Sequence, residues 1–289
     1  MPDWFFQFPF EQTFDLRAID RAIRAFSDNF SVLFDAISRG LIGTINLVDT
    51  LLSFLPWWLL LTLVFFRGWK VSGRITRGIL YATLLSFVGF VGLWNEMNQT
   101  LSIVVVSVLL CILLGFPIGV LIAGSNRANR ILLPVLDTMQ TMPVFVYLIP
   151  AIVFFGIGRA PAVIATTIYA IVPLIRLTNL GIRQIDAEVV EAAKSFGSTA
   201  MQSLVKVQIP QAMPTIMTGL NQTLMMAMAM VVTCSMIGAS GLGMEVLVGV
   251  NRIEMGRGLV AGTCVVIVAI LLDRLMQKSA KGGKGELNE

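Results

Sequence analysis

The sequence predicts an all-α integral membrane protein with about seven transmembrane helices and an N-terminal amphipathic helix. Hydrophobic residues make up 56% of the 289 positions and charged residues only 13%, whereas a typical soluble domain has roughly 25% charged residues. The mean hydropathy is +0.83. A helix that crosses a bilayer needs about 20 mostly apolar residues. Seven runs approach this length, at 51–66, 78–94, 100–123, 135–157, 161–178, 213–237 and 258–273.

The residues before the first run have a different pattern. Between positions 16 and 37, apolar residues recur at steps of three and four, with charged residues between them. This spacing is typical of an amphipathic helix. We expect the helix to lie on the membrane surface, with Trp4, Phe5 and Phe6 as interfacial anchors. A helix that pairs with a partner in a coiled coil is the alternative.

Proline and glycine residues give further information on three of the later runs. Pro143 and Pro150 interrupt the run at 135–157, so its bounds are loose. The runs at 100–123 and 258–273 each contain a GxxxG spacing, formed by Gly115, Gly119, Gly258 and Gly262. Small residues at this spacing allow helices to approach closely, which indicates that the spans pack into a bundle.

The basic residues predict the orientation of the chain. Fourteen of the 21 Lys and Arg residues fall in 67–77, 124–130, 176–206 and 274–289. These four segments lie on one side of the membrane if all seven runs cross it. Because cytoplasmic loops are enriched in Lys and Arg, we expect the C-terminus inside and the N-terminus outside. The basic residues form no patch on a solvated face, so nucleic acid is not an expected partner.

A polar segment at 188–214, "EVVEAAKSFGSTAMQSLVKVQIPQAMP", separates two of the runs. Asp186 is a good N-cap for a short helix, and Gly197 stands where a helix end favours a left-handed residue. A second short helix can begin at Ser198 and is expected to stop before Pro210, because proline disfavours helix in the residue ahead of it. Two short amphipathic helices joined by a tight turn suit a docking element. An amphipathic loop without a partner is the alternative.

The same segment resembles the EAA motif of type I ABC importer permeases. That pattern is EAA, three residues, Gly, nine residues, Ile, any residue, Leu-Pro. Five positions match it directly and two carry similar apolar residues. In chain order the seven positions are Glu191, Ala192, Ala193, Gly197, Val207, Ile209 and Pro210.

The resemblance extends to "LDTMQTMPVFVYLIPAIVFFGIG" at 136–158 and to "LLDRL" at 271–275. Both look like the glycine betaine, proline betaine and choline permease subunits of that family. The resemblance implies a type I ABC importer transmembrane domain over 96–276, with coupling helices at about 186–208. Residues 1–95 then hold the amphipathic helix and the first two spans, and 277–289 form a flexible cytoplasmic tail.

The family resemblance also implies partners. Two permease copies are expected to pair as a homodimer in the cell inner membrane, with a periplasmic N-terminus and a cytoplasmic C-terminus. Each copy would dock a cytoplasmic ABC ATPase through the EAA helix, and a periplasmic substrate-binding protein would deliver the substrate. The chain has no GxxxxGK[ST] motif, so ATP and Mg²⁺ are expected on the ATPase. The chain itself is then not an enzyme and carries no cofactor.

Polar and aromatic residues inside the runs are candidates for the translocation path. Amide side chains can line a water-filled pathway, and aromatic faces can hold a quaternary ammonium group. Interhelical hydrogen bonds and aromatic packing are the respective alternatives. The candidates are Gln140, Phe145, Tyr147, Tyr169, Asn221 and Gln222.

These observations favour the permease subunit of an ATP-driven importer for a methylated osmolyte: glycine betaine first, then proline betaine, choline or trimethylamine N-oxide. A gradient-driven secondary transporter of a small polar solute is the alternative. Such carriers usually need ionisable groups at mid-depth, and Asp137 is the one carboxylate well inside the predicted runs. A membrane-embedded enzyme or a metal site is disfavoured, because the chain has no histidine and its three cysteines lack CxxC spacing.

Overall fold

A computed structural model describes residues 16–276, and nearly all of them are helical. No strand occurs in this range. Trp4, Phe5, Phe6 and the tail at 277–289 lie outside it. The α-helices are α1 (Leu16–Asn29), α2 (Ser31–Phe54), α3 (Trp57–Ser72), α4 (Ile75–Phe90), α5 (Trp94–Ala123), α6 (Asn126–Thr141), α7 (Val144–Phe155), α8 (Arg159–Arg183), α9 (Ala187–Ser195), α10 (Ala200–Ser203), α11 (Ile209–Thr233), α12 (Leu242–Asn251) and α13 (Met255–Met276). A π-helical turn (Leu204–Gln208) joins α10 to α11, and a 3-10 turn (Cys234–Ile237) follows α11.

Five helical units of the described range are long and apolar enough to cross a membrane. They are α2, α5, α8, the continuous segment Ala200–Ile237 and α13. The pair α6 and α7 makes a sixth if its two bent halves count as one span. The predicted runs at 100–123, 161–178, 213–237 and 258–273 correspond to four of these units. The run at 78–94 corresponds to α4, which has only 16 residues.

The first predicted run, 51–66, has the wrong bounds. It straddles a break at Leu55 and Pro56, where α2 ends and α3 begins. Pro56 has an extended backbone and starts a new helix, as proline does readily because its missing N–H is not needed in a first turn. The two helices around this break are the candidate span α2 and the 16-residue α3.

The predicted amphipathic helix over 16–37 is divided at Phe30. Its first half is α1, whose apolar residues Ile19, Ile23 and Phe26 are exposed. Its second half belongs to α2, a helix of 24 residues. The apolar spacing continues beyond position 37 through the buried Leu41 and Ile45, so the amphipathic pattern and the first apolar run overlap in one helix.

Contacts with α7 and α8 fix α1 and α2 to one end of the bundle. The Ser27 hydroxyl donates to the carbonyl of Val153 at 3.2 Å, and the ring of Phe34 stacks on Phe154 with centroids 5.0 Å apart. Further along α2, Asp49 forms an ion pair of 3.2 Å with Arg159. The partner residues flank the short loop between α7 and α8, so α2 packs near the bundle end opposite the 188–214 segment.

The centre of the bundle is formed by α5, α8 and α11, and α8 is the most buried candidate span. Glycines bring their backbones close together. A Cβ added at Gly119 would lie 2.9 Å from the Ile175 carbonyl oxygen, and one at Gly219 would lie 3.1 Å from that of Pro173. The close approach predicted for the GxxxG pair of α5 is therefore confirmed. Gly262 of the second pair has no such neighbour within 4 Å.

The prolines of the run at 135–157 produce a bend of 96° between α6 and α7. The break lies at Met142 and Pro143, because Pro143 has no N–H to offer the carbonyl of Met139 four residues earlier. The Tyr147 hydroxyl donates to that carbonyl instead. The ring of Tyr147 also packs edge-on against Tyr169 of α8, with centroids 6.0 Å apart, so the bend is held against the bundle.

We expect Gly119→Ala to lower the thermal unfolding midpoint of the detergent-purified chain. The added methyl group meets backbone atoms of α8, and overpacking of this kind costs about 1–3 kcal/mol. Gly262→Ala is the matched control, because it adds helix propensity of up to about 1 kcal/mol without a close contact. Circular dichroism against temperature compares the two, and equal midpoints would contradict the packing described here.

We expect Tyr147→Phe to loosen the bend between α6 and α7. The ring contact is kept, but the carbonyl of Met139 loses its donor, which costs about 1–3 kcal/mol. Hydrogen exchange measured by mass spectrometry should show faster exchange of the amides of α7. Tyr169→Phe changes no hydrogen bond of the bend and should exchange as the unmodified chain does. Equal exchange in all three proteins would argue against this role of the hydroxyl.

Candidate functional site

The EAA residues lie on the short helix α9, which connects to the end of α8. Asp186 caps this helix as predicted: its carboxylate accepts a hydrogen bond of 3.0 Å from the Glu188 amide. Glu191 and Ala192 are exposed and Ala193 is half-buried. No residue of α9 is buried, so the whole helix is accessible from outside the chain.

A left-handed glycine ends α9. Gly197 has φ +79°, and its amide donates to the Lys194 carbonyl at 2.8 Å. The amide of Ser198 donates to the Ala193 carbonyl at 3.2 Å. These bonds satisfy carbonyls that the helix end leaves unpaired. A Cβ at Gly197 would meet no atom within 4 Å, so the position requires glycine for its backbone conformation and not for lack of space.

The second short helix begins at Ala200, two residues later than the predicted start, and Thr199 is its N-cap. The Thr199 hydroxyl accepts from the Gln202 amide at 3.3 Å, and the Gln202 side chain accepts from the Thr199 amide at 2.9 Å. This reciprocal pair is a capping box. It fixes the direction of the chain immediately after the turn.

The expectation that this helix stops before Pro210 is wrong. A π-helical turn over Leu204–Gln208 continues directly into α11, and the Ile209 amide donates to the carbonyl of Leu204 five residues earlier. Pro210 lies in the first turn of α11. In an α-helix the proline ring would clash with the carbonyl four residues before it. The wider π turn moves that carbonyl and lets the helix continue.

The two halves of the motif therefore differ in their surroundings. The EAA helix and the turn are exposed, and Phe196 is 92% and Met201 67% exposed. Exposed apolar side chains rimmed by charged residues are typical of a protein interaction site. At the other end, Val207 is half-buried, Ile209 packs against the core of the bundle, and Pro210 is exposed. The predicted coupling segment, at about 186–208, is thus a surface element whose ends continue into α8 and α11.

Two of the predicted path residues lie together. Gln140 of α6 and Gln222 of α11 line a cavity of about 490 Å³, and α8 forms the wall between them. The α8 wall carries Arg176 and Asn179 among its lining residues. The cavity lies in the half of the bundle near the coupling segment, because these residues precede the end of α8 at Arg183.

The other four path candidates lie elsewhere, and three of them have structural contacts. Asn221 donates to Asp273 of α13 at 2.6 Å. The contacts of Tyr147 and Tyr169 are those of the α6–α7 bend, and Phe145 is 54% exposed on the surface of the chain. These contacts correspond to the packing alternatives that the sequence left open. Their assignment to a path stays a prediction.

Two ion pairs that attach α8 to other helices were not predicted from the sequence. Asp137 of α6 pairs with Arg176 of α8, and Asp49 of α2 pairs with Arg159. The signal for Arg176 was present, because it is a charged residue two positions inside the run at 161–178, and an ionisable group in a span is a functional candidate. Asp49 gave no such signal, because α2 was not predicted to be a span.

The chain is similar in sequence to known transport proteins. The family model of the binding-protein-dependent transport system inner membrane component matches residues 115–282. The glycine betaine transport system permease protein OpuAB of Bacillus subtilis is 46% identical over 262 residues, which cover 90% of this chain and 92% of the relative. The glycine betaine/proline betaine permease ProW of Escherichia coli is 47% identical over 76% of this chain and 62% of its own length.

Solved structures give the same fold. A chain of the inward-facing MetNI methionine ABC transporter matches with a TM-score of 0.54 and 24% identity, over 63% of this chain and 90% of that chain. A chain of an amino acid ABC transporter matches with a TM-score of 0.56 and 20% identity, over 68% and 97%. The fold is that of type I ABC importer transmembrane domains, and the chain belongs to the family of binding-protein-dependent transport system inner membrane components.

Proposed function

We propose that this chain is the transmembrane permease subunit of an ATP-driven importer for a quaternary ammonium or methylated amine osmolyte, with glycine betaine as the substrate. The observation that carries the proposal is the exposed, capped EAA segment between α8 and α11. Such a segment is suited to receive force from a partner, because both of its ends continue into the most closely packed helices of the bundle.

The names of the relatives support the choice of substrate. Relatives at 46% identity are named for glycine betaine and for glycine betaine and carnitine. Those named for trimethylamine N-oxide match at 39% and 34%, and one named for choline matches at 27%. The decreasing identity favours glycine betaine over the other methylated amines.

The proposal includes three protein partners. A cytoplasmic ABC ATPase binds the EAA helix and carries ATP and Mg²⁺, so this chain performs no hydrolysis. A periplasmic binding protein delivers the substrate, and a second copy of the permease completes the path as a homodimer. Binding of ATP to the ATPase then favours one of two arrangements of the bundle, and the rigid α8 and α11 transmit the change.

The proposed orientation has the C-terminus in the cytoplasm and the N-terminus in the periplasm of the inner membrane. The contacts of Ser27 and Phe34 support it, because they attach α1 and α2 to the bundle end opposite the coupling segment. A gradient-driven carrier has less support. Asp49, Asp137 and Asp273 each have a partner side chain. Glu96, whose buried oxygen Oε2 has no partner among residues 16–276, lies in the first turn of α5 and not at mid-depth.

We expect the tagged chain to copurify with an ATPase in mild detergent. After reconstitution into liposomes with the periplasmic binding protein outside, uptake of labelled glycine betaine should require ATP in the liposome lumen, which the ATPase faces. Collapse of the sodium and proton gradients with ionophores should leave this uptake intact. Uptake that proceeds without ATP and stops with the ionophores would replace the proposal by a secondary transporter.

We expect Gly197→Val to uncouple ATP hydrolysis from transport while the membrane bundle stays assembled. A β-branched residue is strained at φ +79°, and a loss of 1–2 kcal/mol in the turn corresponds to a factor of about 5–30. Gly197→Asn is the matched control, because asparagine tolerates the left-handed conformation. Substrate-stimulated ATPase activity should fall to the basal rate in the valine variant alone. Equal stimulation in both variants would contradict the role of the turn.

A further inference from the structure

The cavity between α6, α8 and α11 contains a charge pattern that the coupling motif does not explain. Its lining includes two arginines, two asparagines and two glutamines. Arg183 donates to Asn126 at 2.7 Å, and Asn179 donates to Asn129 at 2.7 Å. Arg176 is the cation of the α8 wall that faces a carboxylate, that of Asp137.

The ion pair of Asp137 and Arg176 lies at the edge of the cavity, since Arg176 lines the cavity and Asp137 does not. The side chain of Arg176 is 33% exposed and that of Asp137 is 61% exposed. Because an unmatched charge in a membrane bundle is expensive, the pair opens at small cost only when both partners receive a new counter-charge.

Asn179 adds an unsatisfied acceptor to the same wall. Its side chain is 5% exposed, and the oxygen Oδ1 receives no hydrogen bond from any residue of 16–276. Asn179 and Arg176 are three residues apart on α8, so they are neighbours on one helix face. The wall thus presents a strong donor beside an oxygen with a partial negative charge, which suits a ligand that has both a carboxylate and positively charged N-methyl groups.

We propose that the cavity is a transient binding site for a zwitterion, which inserts into the ion pair. The ligand carboxylate replaces Asp137 at the Arg176 guanidinium, and the methylated nitrogen lies against the released Asp137 carboxylate. The inference deepens the proposed function and rests on it. The exchange is neutral in charge, because one internal pair is replaced by two pairs with the ligand.

This exchange distinguishes a zwitterion from simple ions. A cation such as choline can pair only with Asp137 and leaves the Arg176 guanidinium without a counter-charge. An anion can pair only with Arg176 and leaves Asp137 uncompensated. Leaving one charge of a pair unmatched is unfavourable, so the site favours glycine betaine over either ion.

Three ligands of nearly the same shape test the inference. They are glycine betaine, choline and 3,3-dimethylbutanoate, the carbon analogue of glycine betaine that keeps the carboxylate and lacks the positive charge. Each has nine equivalent methyl protons, which suits saturation-transfer NMR on the full-length chain in maltoside micelles, without the binding protein. We expect glycine betaine to bind the unmodified chain roughly tenfold or more tightly than the other two, since a hydrogen bond to a charged group contributes about one to two orders of magnitude.

Variants that replace one charged side chain of the pair by a neutral amide should shift the ligand preference in opposite directions. Arg176→Gln should lose glycine betaine and favour choline, whereas Asp137→Asn should favour 3,3-dimethylbutanoate. Arg176→Lys should keep the preference for the zwitterion at lower affinity. Arg130→Gln, which removes an exposed arginine of α6 that does not line the cavity, is the matched control and should bind as the unmodified chain does.

A reciprocal shift would not arise from a merely structural ion pair. Equal binding of the three ligands, or variants that change all three equally while Arg176→Lys restores nothing, would overturn the inference. The uptake assay remains separate. If the chain supports ATP-dependent uptake of glycine betaine but binds the three ligands equally, only the cavity site is rejected. If the chain binds glycine betaine more tightly than the other two ligands but supports no ATP-dependent uptake, the proposed importer is rejected.

Discussion

The contact of α8 with α5 and α11 is the constraint on which the rest of the structure depends. Gly119 and Gly219 allow the backbones of these helices to approach α8 from two sides. Since hydrocarbon is as apolar as the helices themselves, such close packing is a principal source of association within a membrane. In the proposed permease, a displacement of the segment at 188–214 would reach the centre of the bundle, because this segment connects α8 to α11.

The sequence predicted much of this arrangement because its main signals are local. Asp186 begins α9 and Gly197 ends it through bonds to residues two and three positions away. The misses arose where two local rules competed. Pro210 alone forbids an α-helical turn, but the preceding π turn removes the clash. At Phe30 the amphipathic and the apolar patterns overlapped, and only the packing of Leu41 and Ile45 shows that the second half belongs to the bundle.

The polar contacts of the spans could not be predicted in the same way. Asp49 and Arg159 are 110 positions apart, and Asn221 and Asp273 are 52 apart. A single sequence gives each residue as an isolated polar group in an apolar run, and it does not name the partner. The fold supplies the partner, because a charged group within the membrane is stable only beside a group of complementary charge or hydrogen-bonding capacity.

These pairs give α8 a role beyond packing. Arg159 and Arg176 stand about 26 Å apart along the helix, and they connect it to α2 at one end and to α6 at the other. The contact with α2 is reinforced by Ser240, which accepts from Arg159 at 2.7 Å, so that end is held by several bonds. The contact with α6 consists of the ion pair with Asp137 and two hydrogen bonds, from Asn179 to Asn129 and from Arg183 to Asn126. Polar side chains thus tie α8 to α2 near its start and to α6 near its end, and a displacement of α8 along the bundle has to break both sets of contacts.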